Sequence, residues 1–170
     1  MRESLGVHDR IGARLTQNPG ATEAGVLTIK GMVDIVLRDV NGRVKERRKA
    51  VPNLIVTNGR NGICDQLLAS PTIAKPTHMG IGTGTTDPAL GQTALVTEIG
   101  TRQSINKSRN NNVLTSVATF AAGNGTGAIT EAGIFNQSTG GTMYSRITFA
   151  VINKGANDTL ELTWTWTIGT

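Results

Sequence analysis

A search for chemistry begins with histidine, cysteine and carboxylate side chains, and this sequence has only His8, His78 and Cys64 of the first two kinds. Acyl transfer needs a nucleophile, a base and an acid that orients the base, with histidine the usual base. His8 lies in a segment without hydrophobic period, His78 directly precedes a glycine-rich strand, and no serine stands in a Gly-x-Ser-x-Gly elbow. A zinc site needs about four Cys, His or carboxylate ligands at suitable spacing. One cysteine with two distant histidines does not supply a usual set. The twelve acids are scattered singly, so no pair stands out for glycoside cleavage. The expectation is a protein without catalytic residues, metal or cofactor.

The stretch Met79-Gly80-Ile81-Gly82-Thr83-Gly84-Thr85-Thr86 has the glycine density of a phosphate-binding loop. It has no lysine after the final glycine and does not open an apolar helix, so phosphate binding is not expected. Glycines at alternate positions instead leave one strand face bare, which suits close approach of another backbone or an aromatic ring.

Charge is the remaining chemical signal. The chain carries a formal +5, and the segment from Arg38 to Arg60 holds all of that excess: Arg38, Arg43, Lys45, Arg47, Arg48, Lys49 and Arg60 against Asp39 and Glu46. Alternation places Arg43, Lys45, Arg47 and Lys49 on one face of a strand. Such a face blunts a sheet edge against aggregation, tracks a phosphate backbone, or docks on an acidic protein surface. Arg43, Lys45, Arg47, Arg48 and Lys49 are the candidate partner-binding residues, and for Arg47 and Arg48 an acidic protein is favoured over nucleic acid. Nucleic-acid grooves also use stacking aromatics. Here Phe120, Phe135, Phe149, Trp164 and Trp166 fall on strands, leaving only Tyr144.

These residues need a framework, and its clearest element is Thr159 to Ile168. Leu160, Leu162, Trp164, Trp166 and Ile168 alternate with Thr or Glu, the pattern of a half-buried strand. Each tryptophan can bury roughly 150–250 Å², so Trp164 and Trp166, with Phe149 and Phe135, are the expected core anchors. Val26 to Val40 is a second strand, and Asn41-Gly42 predicts a type I′ hairpin turn into Arg43–Val51. Leu54-Ile55-Val56 is a short strand. Asn58 reads as the cap of one short helix ended by Pro71, with Ile63, Cys64, Leu67 and Leu68 on its buried face.

Further strands are expected at 93–98, 102–107, 113–121, 128–136 and 143–152, with turns at Asn110-Asn111-Asn112 and Gly123-Asn124-Gly125. In 143–152, Met143, Ile147, Phe149 and Val151 share a face, with Tyr144 and Arg146 opposite. Short strands at this spacing predict a mainly β fold, an antiparallel β-sandwich of about eight strands over residues 25–170. Residues 1–24 show no period and end near Asn18-Pro19-Gly20, as an extended N-terminal arm would. The 170-residue length suits one core domain. A single cysteine and no basic-then-apolar leader point to folding in a reducing cytosol, and no apolar run is long enough to span a bilayer.

Three blocks together resemble a family of small tailed-bacteriophage virion proteins. They are Asn53–Val56 with the helix after it, Met79–Leu95 with Glu98 and Arg102, and Glu131–Asn136 continued by Gly140–Phe149 and Leu160–Ile168. Members of that family are commonly labelled tail, tail-fibre or other virion structural proteins. The resemblance implies a non-enzymatic assembly role in the virion after synthesis in the host cytoplasm. Its implied partners are other tail or capsid proteins and further copies of the chain in a symmetric homo-oligomer. A tail or tail-fibre position is favoured. Capsid decoration is the first alternative, a basic nucleic-acid-binding module the second, and a carbohydrate-binding sandwich a weaker one.

Overall fold

The computed structural model describes residues 27–169, and the expected arm, residues 1–24, lies outside them, as does His8. In chain order the elements are β1 (Ile29–Arg38), β2 (Val44–Pro52), β3 (Leu54–Ile55), α1 (Thr57–Asp65), β4 (His78–Gly82) and β5 (Glu98–Ser104). Then follow β6 (Asn106–Asn110), β7 (Val113–Phe120), β8 (Gly127–Phe135), β9 (Met143–Lys154) and β10 (Thr159–Ile168). They form two five-stranded antiparallel sheets, sheet A in the order β2-β1-β10-β7-β6 and sheet B in the order β3-β9-β8-β4-β5. The fold is the mainly β, sandwich-like architecture expected, with ten strands in place of about eight.

The alternating C-terminal strand is central to sheet A, paired with β1 on one side and β7 on the other. Leu160, Leu162, Trp164 and Trp166 are buried on its inner face, beside Val33, Ile35 and Leu37 of β1 and Ala118 and Phe120 of β7. Against them sheet B presents Met79, Ile81, Ile129, Ala132, Ile134, Ile147 and Ile152. Trp164 keeps only 1% of its surface exposed, so its ring contributes nearly its full area to the core. Phe149 is only partly buried and packs at the margin.

Several expectations need correction. The Asn41-Gly42 hairpin forms, but Gly42 takes positive φ and Asn41 does not. The Gly42 N–H donates to the Asp39 carbonyl at 2.9 Å, and the Asp39 carboxylate accepts from the N–H groups of Asn41 and Arg43. This five-residue loop is a turn closed by a glycine bulge, and the acidic residue before the pair decides the geometry. The expected strand 102–107 is split at Ile105, where the chain leaves sheet B as β5 and enters sheet A as β6. Residues 93–97, expected as part of a strand, are loop.

The helix also packs otherwise than its apolar period predicts. It is preceded by Val56, not capped by Asn58, and its buried residues are Gly59 and Gly62. A Cβ on Gly62 would overlap the Tyr144 ring at 2.5 Å, so the two glycines let α1 lie directly on β9. Cys64 is exposed, and Leu67 and Leu68 stand outside the core. Tyr144 is buried, and its hydroxyl donates to the Ala74 carbonyl at 2.9 Å.

Candidate functional site

The middle of sheet B, where β4, β8 and the start of β9 lie side by side, is buried on both faces, and its outer face carries the polar centre of the molecule. Glu131 of β8 and Arg146 of β9 are both fully buried and form an ion pair, with Arg146 Nη2 2.7 Å and Nε 2.9 Å from Glu131 Oε2. Burying two charges costs several kcal/mol per ion unless good geometry and further hydrogen bonds repay it. Here each polar atom of the two side chains has at least one partner. Glu131 accepts from the backbone N–H groups of Gly84 (3.0 Å), Val96 (3.1 Å) and Thr97 (2.7 Å). Arg146 Nη1 donates to the Thr86 carbonyl at 2.8 Å and to Gln92 Oε1 at 3.0 Å.

The pair therefore draws the long connection between β4 and β5 down onto the sheet as a cover. That is why residues 93–97 are loop: the N–H groups of Val96 and Thr97 go to a carboxylate instead of a neighbouring strand. Burial pushes the Glu131 pKa up, but the Thr97 N–H, Arg146 and the N–H groups of Val96 and Gly84 outweigh it and hold the group below its ordinary value. It stays an acceptor at neutral pH.

The glycines of β4 allow this cover to close. Gly80 and Gly82 face it, with Gly84 just beyond. A Cβ on Gly82 would collide with the Thr97 carbonyl, and one on Gly80 would lie 3.3 Å from the Phe135 ring. Close approach of a backbone and an aromatic ring is what the bare face predicts. Phe135 lies here, under the cover with Val56, Leu95 and Met143, instead of between the sheets. Arg102 stacks its guanidinium 3.4 Å from the Phe135 ring centroid and forms a two-pronged pair with Glu98 at 2.6 and 2.9 Å.

A second polar device crosses the core. With its side-chain amide assigned the orientation in which oxygen and nitrogen both find partners, Asn53, in the connection from β2 to β3, donates to the Gly31 carbonyl at 2.7 Å and accepts from Trp164 Nε1 at 3.0 Å, and it contacts the Ser145 hydroxyl. It joins both sheets and gives the buried indole its acceptor. Asp158 caps one end of the sandwich, 2.6 Å from Lys45 Nζ. Nearby, the buried Lys154 donates to the Ala121 carbonyl at 3.0 Å.

The candidate partner-binding cations do not form a single stripe. Strand β2 is an edge strand with two register shifts, one at Lys45 and one near Lys49 and Ala50. Arg47 lies opposite Val36 on the outer face, whereas Arg48 lies opposite the inner-face Ile35 and pairs with Glu46. Lys45 is held by Asp158, and Arg43 lies in the hairpin loop. Bulges flip the side-chain parity, so alternation read from sequence fails here. Charges and bulges along an edge discourage strand addition by another chain.

Sequence reasoning missed Glu131, Arg146 and Asn53 as structural centres. The available signal was two opposite charges embedded in the runs Glu131-Ala-Gly-Ile-Phe and Tyr144-Ser-Arg-Ile, where an exposed residue has no place. Val151 also leaves the face assigned to it and is exposed, because an irregularity in the β8–β9 ladder separates Thr148 from Ile152. Among the described residues, no three His, Cys, Asp or Glu side chains cluster as metal ligands, and no helix is long and apolar enough to cross a membrane. Comparison with protein-family models, curated proteins and solved structures finds no match.

Proposed function

We propose that this chain is a non-enzymatic structural protein of a tailed-bacteriophage particle, a tail or tail-fibre-associated component that joins its neighbours through its surface strands. One observation carries the reading: the blocks by which the sequence resembles that family are the ones that interlock. The glycines of β4, Gln92, Glu98, Arg102, Glu131 and Arg146 hold one another and the cover over sheet B. Their charged members are taken up by internal bonds, as suits a rigid building block.

Immunogold labelling of intact purified particles tests the position. Gold along the tail or its fibres supports the proposal. Gold spread over the capsid favours a decoration protein instead. Particles without label, intact or disrupted, would remove both structural readings.

A further inference from the structure

At one end of the sandwich the inner face of sheet A runs on into a cleft of about 400 Å³. Its floor is Ile29, Leu114, Trp166 and Ile168, and α1 forms part of the opposite wall through Ile63. Around it stand Lys75, Lys107 and Arg109, and among the described residues no carboxylate lines the cleft. Asp65, at the end of α1, accepts from the N–H groups of Thr72 and Ile73 at 2.8 and 2.7 Å. None of the three cations is in an ion pair among the described residues. Lys107 and Arg109 donate only to the carbonyls of Pro76 and Asn111, at 2.8 and 2.7 Å.

Trp166 is 6% exposed, and among the described residues its indole N–H has no acceptor. Burial and the neighbouring Lys75 both lower the Lys107 pKa, as expected of cations gathered without a counter-charge.

We propose that this cleft docks an acidic, aliphatic segment of a second protein, with aliphatic side chains on the Leu114 and Trp166 floor and carboxylates against Lys75, Lys107 and Arg109. The volume lies within the usual range of about 300–1,000 Å³ for a specific pocket. Charge complementarity selects the occupant: an apolar floor alone accepts any greasy segment, whereas three cations with no ion pair among the described residues favour acids and reject bases. The inference deepens the assembly reading by naming the partner's chemistry.

The test uses the purified full-length chain and an array of hexapeptides that permute Asp and Glu with Leu, Ile and Val. A matched array carries Lys for every acid, and further spots carry windows of this chain's own residues 1–26. The acidic-aliphatic peptides should bind at least about tenfold tighter than their lysine counterparts and should shift tryptophan emission. Lys75→Glu with Lys107→Glu should reverse that preference while the protein keeps a cooperative thermal transition, lowered by no more than the loss of the Lys107 bond to the Pro76 carbonyl.

Should the variant fold poorly, the wild-type protein still decides. Its affinity must fall between low salt and about 0.5 M salt, where screening is nearly complete within a few ångströms. Equal binding of both arrays, an affinity indifferent to salt, or a preference that survives the charge reversal would overturn the proposal. So would tighter binding of the chain's own windows, which would make its N-terminal segment the occupant. No particle enters this assay, so its failure would leave the virion reading standing, and failure of the particle labelling would leave the cleft result standing.

Discussion

The Glu131–Arg146 pair gives the most searching prediction, because two accounts of it differ in a double-mutant cycle. If it is mainly an ion pair, replacing both residues by methionine should cost little, since buried pairs exchanged for apolar residues are often neutral. The geometry says that Glu131 is also the acceptor for three backbone N–H groups. Glu131→Met strands the Arg146 charge and all three donors, so it should cost about 5 kcal/mol, the upper end for a broken buried pair. Arg146→Met leaves the carboxylate its three donors and should cost about 3 kcal/mol.

The double variant removes the charge problem but not the orphaned N–H groups of Gly84, Val96 and Thr97. At about 1–3 kcal/mol each when dry, and less once the loop lifts to admit water, they should leave the double variant about 2–4 kcal/mol below wild type. Urea unfolding followed by the emission of Trp164 and Trp166 measures all four corners, provided the slope with denaturant is unchanged. A double variant as stable as wild type, or Glu131→Met costing less than about 1 kcal/mol, would refute the claim that this carboxylate holds the cover.

Three further outcomes follow from named contacts. Asn53→Ala leaves Trp164 Nε1 without its acceptor and should cost about 1–3 kcal/mol by the same urea assay; an unchanged midpoint would mean the indole finds another partner. Gly82→Ala puts a methyl against the Thr97 carbonyl and 2.9 Å from Glu131 Cγ, for about 1–3 kcal/mol, whereas Gly91→Ala, with nothing within 4 Å, should stay within about 0.5 kcal/mol. Equal effects at the two positions would argue against the closed cover.

Stability should also fall in acid. The pKa values of Glu131 and Asp158 lie below the ordinary 4.5 and 3.8, through hydrogen bonds that for Asp158 come first from Lys45. Such groups stabilise the fold fully above their ordinary values, and the contribution is lost as pH falls through the lowered ones. Glu131→Gln should flatten that loss in thermal melts taken from neutral pH to below about pH 4, and an unchanged slope would contradict the assignment.

How much of this was legible in the chain depended on whether one face of each element meets water. β10 has an inner core face and a partly exposed outer face, and its alternation reads directly as a strand central to a sheet. β8 from Glu131 to Phe135 and β9 from Met143 to Ile147 are buried on both faces, so Tyr144 and Arg146, which alternation sets opposite the apolar residues, are buried as well. The cover comes from α1 and from residues far along the chain, and periodicity reports only local order. The α1 face was misread because glycine leaves no hydrophobic mark, although Gly59 and Gly62 make the contact. On β2, two bulges broke the parity that the cation stripe assumed.

If the chain is the proposed building block of a virus particle, its copy number per purified virion should be small and fixed, far below that of the major capsid protein, as for a tail or fibre component. Quantitative mass spectrometry against the capsid protein supplies the count. A number comparable to the capsid protein's would move the chain to the head surface, and absence from purified particles would rule out a structural role in the virion.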